Sequence, residues 1–205
     1  LIKAILYDLD GVLVDACEWH YLSLNAALLE VSGFEISLDE HLMSFNGLPT
    51  HTKLDKLVEM GRVNWIHKER IWKLKQDKTL DIIQANAKED LVKQELHRYI
   101  REQGIKIACV TNSITETAAA MLESTGQIDL IDLLVSNQMV KKPKPHGEGY
   151  IRAMVALNSL PEETLIVEDS PVGLEAARTT GAYIWQVKDS SEVTLDNFKA
   201  VWSTL

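Results

Sequence analysis

Apolar residues fall into two kinds of run along the chain. Short continuous blocks occur at Ile2–Tyr7, Ile105–Thr111, Leu133–Ser136, Thr164–Val167 and Tyr183–Val187. Blocks of this length, bounded by glycine or polar clusters, predict strands buried on both faces. Between them the apolar residues take helical spacing, predicting helices over Leu91–Gln103 with Gly104 as its stop, Thr115–Thr125 ending at Gly126, Gly147–Asn158 and Val172–Thr180. Regular alternation of strand and helix predicts a parallel sheet wound on both faces by right-handed crossovers.

After Asp15 the alternation stops for about seventy residues and no strand pattern interrupts the block. Cys17–Val31 reads as a helix closed by Gly33, and Leu38–Phe45 as a second. Asn46–Thr50 is a turn, and Thr50 or Thr52 caps a third helix that runs to Met60 before Gly61. Asn64–Gln84 reads as a long amphipathic helix, with Trp65 and Trp72 one heptad apart and expected in its core face. The expected fold is therefore α/β: a Rossmann-like doubly wound parallel sheet core, residues 1–15 and 87–205, with a small helical cap, residues 16–86, inserted after the first strand.

The first strand ends in Asp8-Leu9-Asp10-Gly11. Carboxylates two residues apart leave a strand on the same face. Like charges held together beside a buried strand are costly unless a cation or a shared proton relieves them. Such a pair calls for a metal or for acid–base chemistry. Magnesium prefers oxygen ligands, and Asp8 and Asp169 are the leading candidates, supported by Glu168 and by Asp10 through its backbone carbonyl.

Four motifs in order carry a resemblance. Asp8-Leu9-Asp10-Gly11-Val12-Leu13-Val14-Asp15, the strand ending in Thr111-Asn112-Ser113, Lys142-Pro143-Lys144-Pro145, and Glu168-Asp169-Ser170-Pro171 are similar to the four signatures of the haloacid dehalogenase superfamily of phosphohydrolases. The resemblance spans Ile2 to about Gly181 and points to the subgroup of β-phosphoglucomutases and phosphatases with a helical cap. It implies an aspartyl-phosphate mechanism with Asp8 as nucleophile and Asp10 as acid and base. Thr111 supplies a hydroxyl and Lys142 a point charge for the phosphoryl oxygens. Motif spacing selects Lys142, with Lys141 and Lys144 placed to share its task. Asn112 and Ser113 join the substrate-binding set. His20 and Lys75 join it too, because sugar-phosphate mutases of the superfamily hold a histidine and a lysine at similar positions. The implied metal is Mg2+, on Asp8, Asp10, Glu168 and Asp169.

The expected function is a magnesium-dependent phosphatase acting on a small phosphorylated metabolite, a sugar or polyol phosphate. A sugar phosphomutase of the β-phosphoglucomutase type is the alternative, and a non-catalytic binder of phosphorylated ligands the second. The cap loop Gly47-Leu48-Pro49-Thr50-His51 lacks the arginine with which mutase relatives hold a second phosphate, which favours hydrolysis. Two other departures stand out. His146 occupies the place of an aspartate that commonly follows the third motif, and the linker Asn86–Asp90 lacks the usual Pro-Gly pair. Dehalogenation has no use for Asp10, and phosphonatases do not keep that second aspartate.

With 205 residues and 46% apolar content the chain can bury a substantial core. Its net charge of −9 disfavours nucleic acid and anionic membranes as partners, since both need a basic face. A phosphate substrate must then be attracted locally by the metal and a few lysines. Cys17 and Cys109 lie in apolar patterns without metal spacing and are expected as reduced core residues. No spanning segment, signal peptide or lipidation motif stands out, so a cytoplasmic protein, a monomer or weak dimer, is expected.

Overall fold

Strand β1 (Ala4–Tyr7) is buried along its whole length at the centre of a five-stranded sheet. In the computed structural model, which describes residues 1–205, the chain then leaves the sheet for four helices, α1 (Cys17–Ser32), α2 (Leu38–Glu40), α3 (Thr50–Glu59) and α4 (Lys68–Asn86). It continues through α5 (Leu91–Glu102), β2 (Lys106–Val110), α6 (Thr115–Ser124), β3 (Leu133–Val135) and α7 (Glu148–Leu157). The last elements are β4 (Thr164–Glu168), α8 (Pro171–Arg178), β5 (Tyr183–Gln186) and α9 (Leu195–Trp202). Two units result, Leu1–Asp15 with Lys88–Leu205, and Ala16–Ala87.

All sheet pairings are parallel, in the order β3-β2-β1-β4-β5. Connections run to one side of β1 for β2 and β3 and to the other for β4 and β5. That reversal opens a crevice beyond the carboxyl ends of the central strands. Register sets Tyr7 beside Cys109 and Val167, so Asp8, Thr111 and Glu168 leave the sheet at one edge. On one face Ala4, Leu6, Ala108, Val110 and Ile166 pack against Tyr150, Ala153 and Met154 of α7 and Ala176 and Ala177 of α8. Small residues in the sheet and in α8 let helix and strand approach closely.

In the helical unit, Leu24, Leu28, Phe45, Leu54, Leu57 and Ile71 form a separate core. Each such side chain, fully buried, stabilises by roughly 1.5–3 kcal/mol. Asn25 fixes the segment after α1 by donating to Ile36 O and accepting from Ile36 N, both at 2.9 Å. Thr79 of α4 donates to Ser23 Oγ of α1 at 2.9 Å, tying the two long helices together.

Three elements differ from the sequence expectation. The helix expected over Leu38–Phe45 is one turn of α2 followed by a π-helical turn, His41–Phe45. The long helix begins at Lys68, because Asn64 caps a separate 3-10 turn, Trp65–His67, through its side chain to Ile66 N. At three residues per turn the helical period slips there, and Trp65 turns out to solvent, 73% exposed. Finally, α9 closes the chain where no helix was expected. Thr194 caps it, and Phe198 is its one buried residue, set against Tyr99 and Trp185.

Candidate active site

The tight turn after β1 sets the first carboxylates. Gly11 takes φ +87°, a conformation that costs a glycine little, and its N–H donates to Val14 O at 2.7 Å. A side chain at Gly11 would overlap the Asp169 carboxylate, so the same glycine lets the β1 and β4 ends approach. Asp8 is anchored by its N–H to Val167 O at 3.0 Å and is 7% exposed.

The ammonium that meets Asp8 belongs to Lys144. Its Nζ lies 2.6 Å from Asp8 Oδ1 and 2.6 Å from Glu168 Oε1, and the side chain is buried. Lys142, selected from motif spacing, is exposed instead. Its backbone N–H donates to Glu148 Oε2 at 2.9 Å while Lys141 N donates to Glu148 Oε1 at 3.1 Å. The physical reason is a repeated dipeptide. Lys142-Pro143 and Lys144-Pro145 offer the same local signal two residues apart, and only packing chooses between them. Started at Lys144, the motif runs Lys144-Pro145-His146-Gly147-Glu148, with glycine for the second proline and Glu148 in the acidic place.

Around this pair, Asp10 Oδ2 accepts from Ser113 Oγ at 3.0 Å. Thr111 ends β2, and its hydroxyl accepts from Ser113 N at 2.9 Å, which shapes the turn. Asn112 clamps the backbone of the buried lysine: its Oδ1 accepts from Lys144 N at 3.0 Å and its Nδ2 donates to Lys144 O at 3.1 Å. So Asp8, Asp10, Thr111, Asn112, Ser113, Glu168 and Asp169 share one strand edge, joined by Lys144.

One oxygen each from Asp8, Glu168 and Asp169 lie within 4.8 Å of one another. Asp169 Oδ1 is buried without a hydrogen-bond partner, an uncompensated acceptor aimed at a donor or a cation. Hard oxygen donors at this spacing fit a divalent metal. Burial pushes the Asp8 carboxyl up, helped by Glu168, Asp169 and Asp10 and opposed by Lys144. Asp169 rises to about 7, through burial first and then Glu168. Burial disfavours a charged Lys144, but the carboxylates of Asp8 and Glu168 outweigh it and hold its pKa above the ordinary lysine value.

The sequence pattern of the haloacid dehalogenase-like hydrolases matches residues 5–187. The chain belongs to that family. Among relatives, it is 27% identical over 179 residues to a phosphorylated carbohydrates phosphatase of Thermotoga maritima, covering 87% of this chain and 82% of that one. It is 28% identical over 181 residues to the validoxylamine A 7'-phosphate phosphatase of Streptomyces hygroscopicus, covering 88% and 83%. In fold it is similar to the β-phosphoglucomutase of Clostridium difficile, with a TM-score of 0.85 at 20% identity over 100% of this chain and 98% of that one.

In the helical unit of this hydrolase, α1 and α4 bring His20 Nδ1 and Lys75 Nζ to 3.1 Å, both side chains buried. Lys53 on α3 and His41 in the π-helical turn are buried in the same unit. Burial, with Lys53, His20 and Lys75 nearby, lowers the His41 pKa to about 3. His41 was missed in the sequence because it lies four residues before Phe45, on the apolar side of a short predicted helix. Tyr150 was missed likewise: on α7 its ring continues the apolar face, and nothing local marks its hydroxyl, which donates to Glu168 Oε1 at 2.6 Å.

Proposed function

We propose that the protein is a magnesium-dependent phosphatase of a small phosphorylated metabolite, a sugar or polyol phosphate, acting through an aspartyl-phosphate at Asp8. The observation that carries this reading is the Asp8 carboxylate at the crevice edge with a buried ammonium at 2.6 Å. A carboxylate nucleophile splits one hard displacement at phosphorus into two easier ones. Asp8 attacks through one oxygen. Lys144 neutralises charge on the entering oxygen and on the phosphoryl oxygens near it. Asp10, held by Ser113, gives a proton to the leaving alkoxide and later takes one from the attacking water. Thr111 Oγ1 and the backbone N–H groups of the two turns donate to the phosphoryl group. Asp8 and Asp169 would hold Mg2+, with Glu168 beside them and the Asp10 carbonyl in support, and the ion would supply charge neutralisation and alignment of the phosphoryl group.

Relatives that are phosphatases of phosphorylated carbohydrates and of a phosphorylated aminocyclitol support the substrate class. A second reading, a sugar phosphomutase, is favoured by the ammonium groups of Lys53 and Lys75, buried in the helical unit with His20, whose Nδ1 lies 3.1 Å from Lys75 Nζ. No helix is long and apolar enough to cross a membrane, and both cysteines are free thiols, as in the reducing cytoplasm where we place the protein.

The test is a phosphate-release screen over phosphorylated metabolites with Mg2+, with mass-spectrometric analysis for isomerised product. Free phosphate supports the phosphatase, and isomer without phosphate supports the mutase. Asp8→Asn should abolish both while keeping the fold. Undiminished turnover in Asp8→Asn would remove the nucleophile assignment.

A further inference from the structure

Glu168 Oε1 accepts two short charge-assisted bonds, from Lys144 Nζ and from Tyr150 Oη, both at 2.6 Å. Its other oxygen faces Asp169 N at 3.2 Å, Ser170 N at 3.4 Å and Ser170 Oγ at 3.3 Å. The carboxylate is thus held from both ends. Tyr150 is fully buried in the core between sheet and α7, and the Lys144 ammonium sits 4.7 Å from the centre of its ring. One side chain therefore touches the ammonium through its ring face and fixes, through its hydroxyl, the oxygen to which that ammonium is bonded.

We propose that Tyr150 positions Lys144 against Asp8 by fixing the Glu168 oxygen that the two share. A lysine side chain has four rotatable bonds and its ammonium is a point charge with no preferred plane, so its location is set by its acceptors. Asn112 fixes the Lys144 backbone, and Asp8 and Glu168 fix its far end. Asp8 must change partners during the reaction, because the oxygen that Lys144 touches belongs to the attacking group. Glu168 is then the acceptor that keeps the ammonium in place throughout. An untethered Glu168 carboxylate keeps the freedom of its side-chain torsions and carries the bonded ammonium with it. The Tyr150 hydroxyl holds that carboxylate in place.

Phenylalanine at this position keeps the ring, its packing and the cation–π contact, and deletes only the hydroxyl. With Tyr150→Phe, kcat on p-nitrophenyl phosphate is expected to fall about tenfold or more, because a misplaced charge acts mainly on the reacting state. KM should stay within about threefold, since the ester can still dock in the crevice. The Mn2+ dissociation constant, read by electron paramagnetic resonance, should also stay within about threefold if Tyr150 serves the lysine rather than a metal ligand. The 15Nζ resonance of Lys144, assigned by its loss in Lys144→Arg, should shift or broaden. In a Lys144→Ala background, adding Tyr150→Phe should lower the residual rate no further. If Tyr150→Phe fails to fold, incorporation of 3-fluorotyrosine into the unmutated chain makes the phenol a stronger donor without removing it, and the Lys144 resonance should move.

An unchanged kcat and an unmoved Lys144 resonance in Tyr150→Phe would overturn the inference. So would a loss of Mn2+ affinity matching the loss of kcat, which would make Glu168 a metal ligand that Tyr150 orients. The kinetic arm rests on the proposed phosphatase reading, whereas the resonance and Mn2+ arms do not. An unmutated chain that releases phosphate from no ester defeats that reading and leaves those two arms to decide the role of Tyr150.

Discussion

Glu168 and Gly173 fit together so closely that a single methyl group at the glycine would overlap both carboxylate oxygens. Gly173 lies in the first turn of α8, where its N–H donates to the cap Ser170 Oγ at 3.0 Å. Alanine in a helix is ordinarily stabilising over glycine by about 1 kcal/mol. Here the sign should reverse. Gly173→Ala is expected to destabilise by about 1–3 kcal/mol through overpacking against Glu168. Loss of the Lys144 anchor should lower phosphate release at the same time. Denaturant unfolding and steady-state kinetics check both, and a variant more stable than the parent with full activity would contradict the packing argument.

Lys142 and Lys144 give a paired prediction. Lys144 is buried between two carboxylates, so Lys144→Ala leaves uncompensated charge and should cost about 3–5 kcal/mol of stability. Its loss should lower kcat by about 100-fold or more, as for other removed charge-stabilising groups. Lys142 is exposed, and Lys142→Ala should change stability by no more than about 0.5 kcal/mol and leave kcat alone. Equal kinetic damage from both would return the assignment to motif spacing.

Metal dependence should localise to Asp169. Its Oδ1 is buried without a partner, and a side chain at Gly11 would displace the carboxylate. Chelation is expected to stop phosphate release and Mg2+ to restore it, while Ca2+ substitutes poorly because its larger, looser shell misplaces the reacting oxygens. Asp169→Asn should weaken Mn2+ binding by about tenfold or more, measured by calorimetry. Full activity in excess chelator would defeat the metal assignment.

How much of this was legible in the sequence follows from which signals are local. Asp8, Asp10 and Asp169 sit directly after apolar strands, so a few neighbouring residues reveal both the element and the carboxylates gathered at its end. Parallel pairing follows from the alternation of strand and helix, whereas the order β3-β2-β1-β4-β5 is set by packing and carries no local signal. Lys144 was hidden because two Lys-Pro pairs give one signal twice, and the choice depends on which ammonium reaches a carboxylate 136 residues earlier. Tyr150 and His41 were hidden by company: each lies on an apolar face, where a polar atom leaves no trace in periodicity. Trp65 misled for the opposite reason, its heptad spacing being interrupted by a 3-10 turn that an asparagine side chain sets up. In α9 a single buried residue, Phe198, gives too short a periodic pattern to read.

His97 offers a prediction about stability in acid. It lies on α5, fully buried, with both ring nitrogens unpartnered and its ring 5.4 Å from that of Tyr7 on β1. Burial first, then Lys93 and Arg101, lowers its pKa to about 3. The folded protein thus keeps the ring neutral, whereas the unfolded chain takes up a proton near pH 6.5. Stability from this group is fully present above about pH 6.5 and is lost as pH falls toward about 3. His97→Leu removes the titrating group and two unsatisfied polar atoms together. It should therefore unfold at a denaturant concentration no lower than the parent's at pH 7.5, and the gain over the parent should be clearly larger at pH 4.5. His41, similarly buried and lowered to about 3, will continue to impose its own acid dependence on both proteins. The informative quantity is the difference between variant and parent at each pH. A difference that does not grow in favour of His97→Leu as the pH falls would show that His97 is not held neutral in the fold.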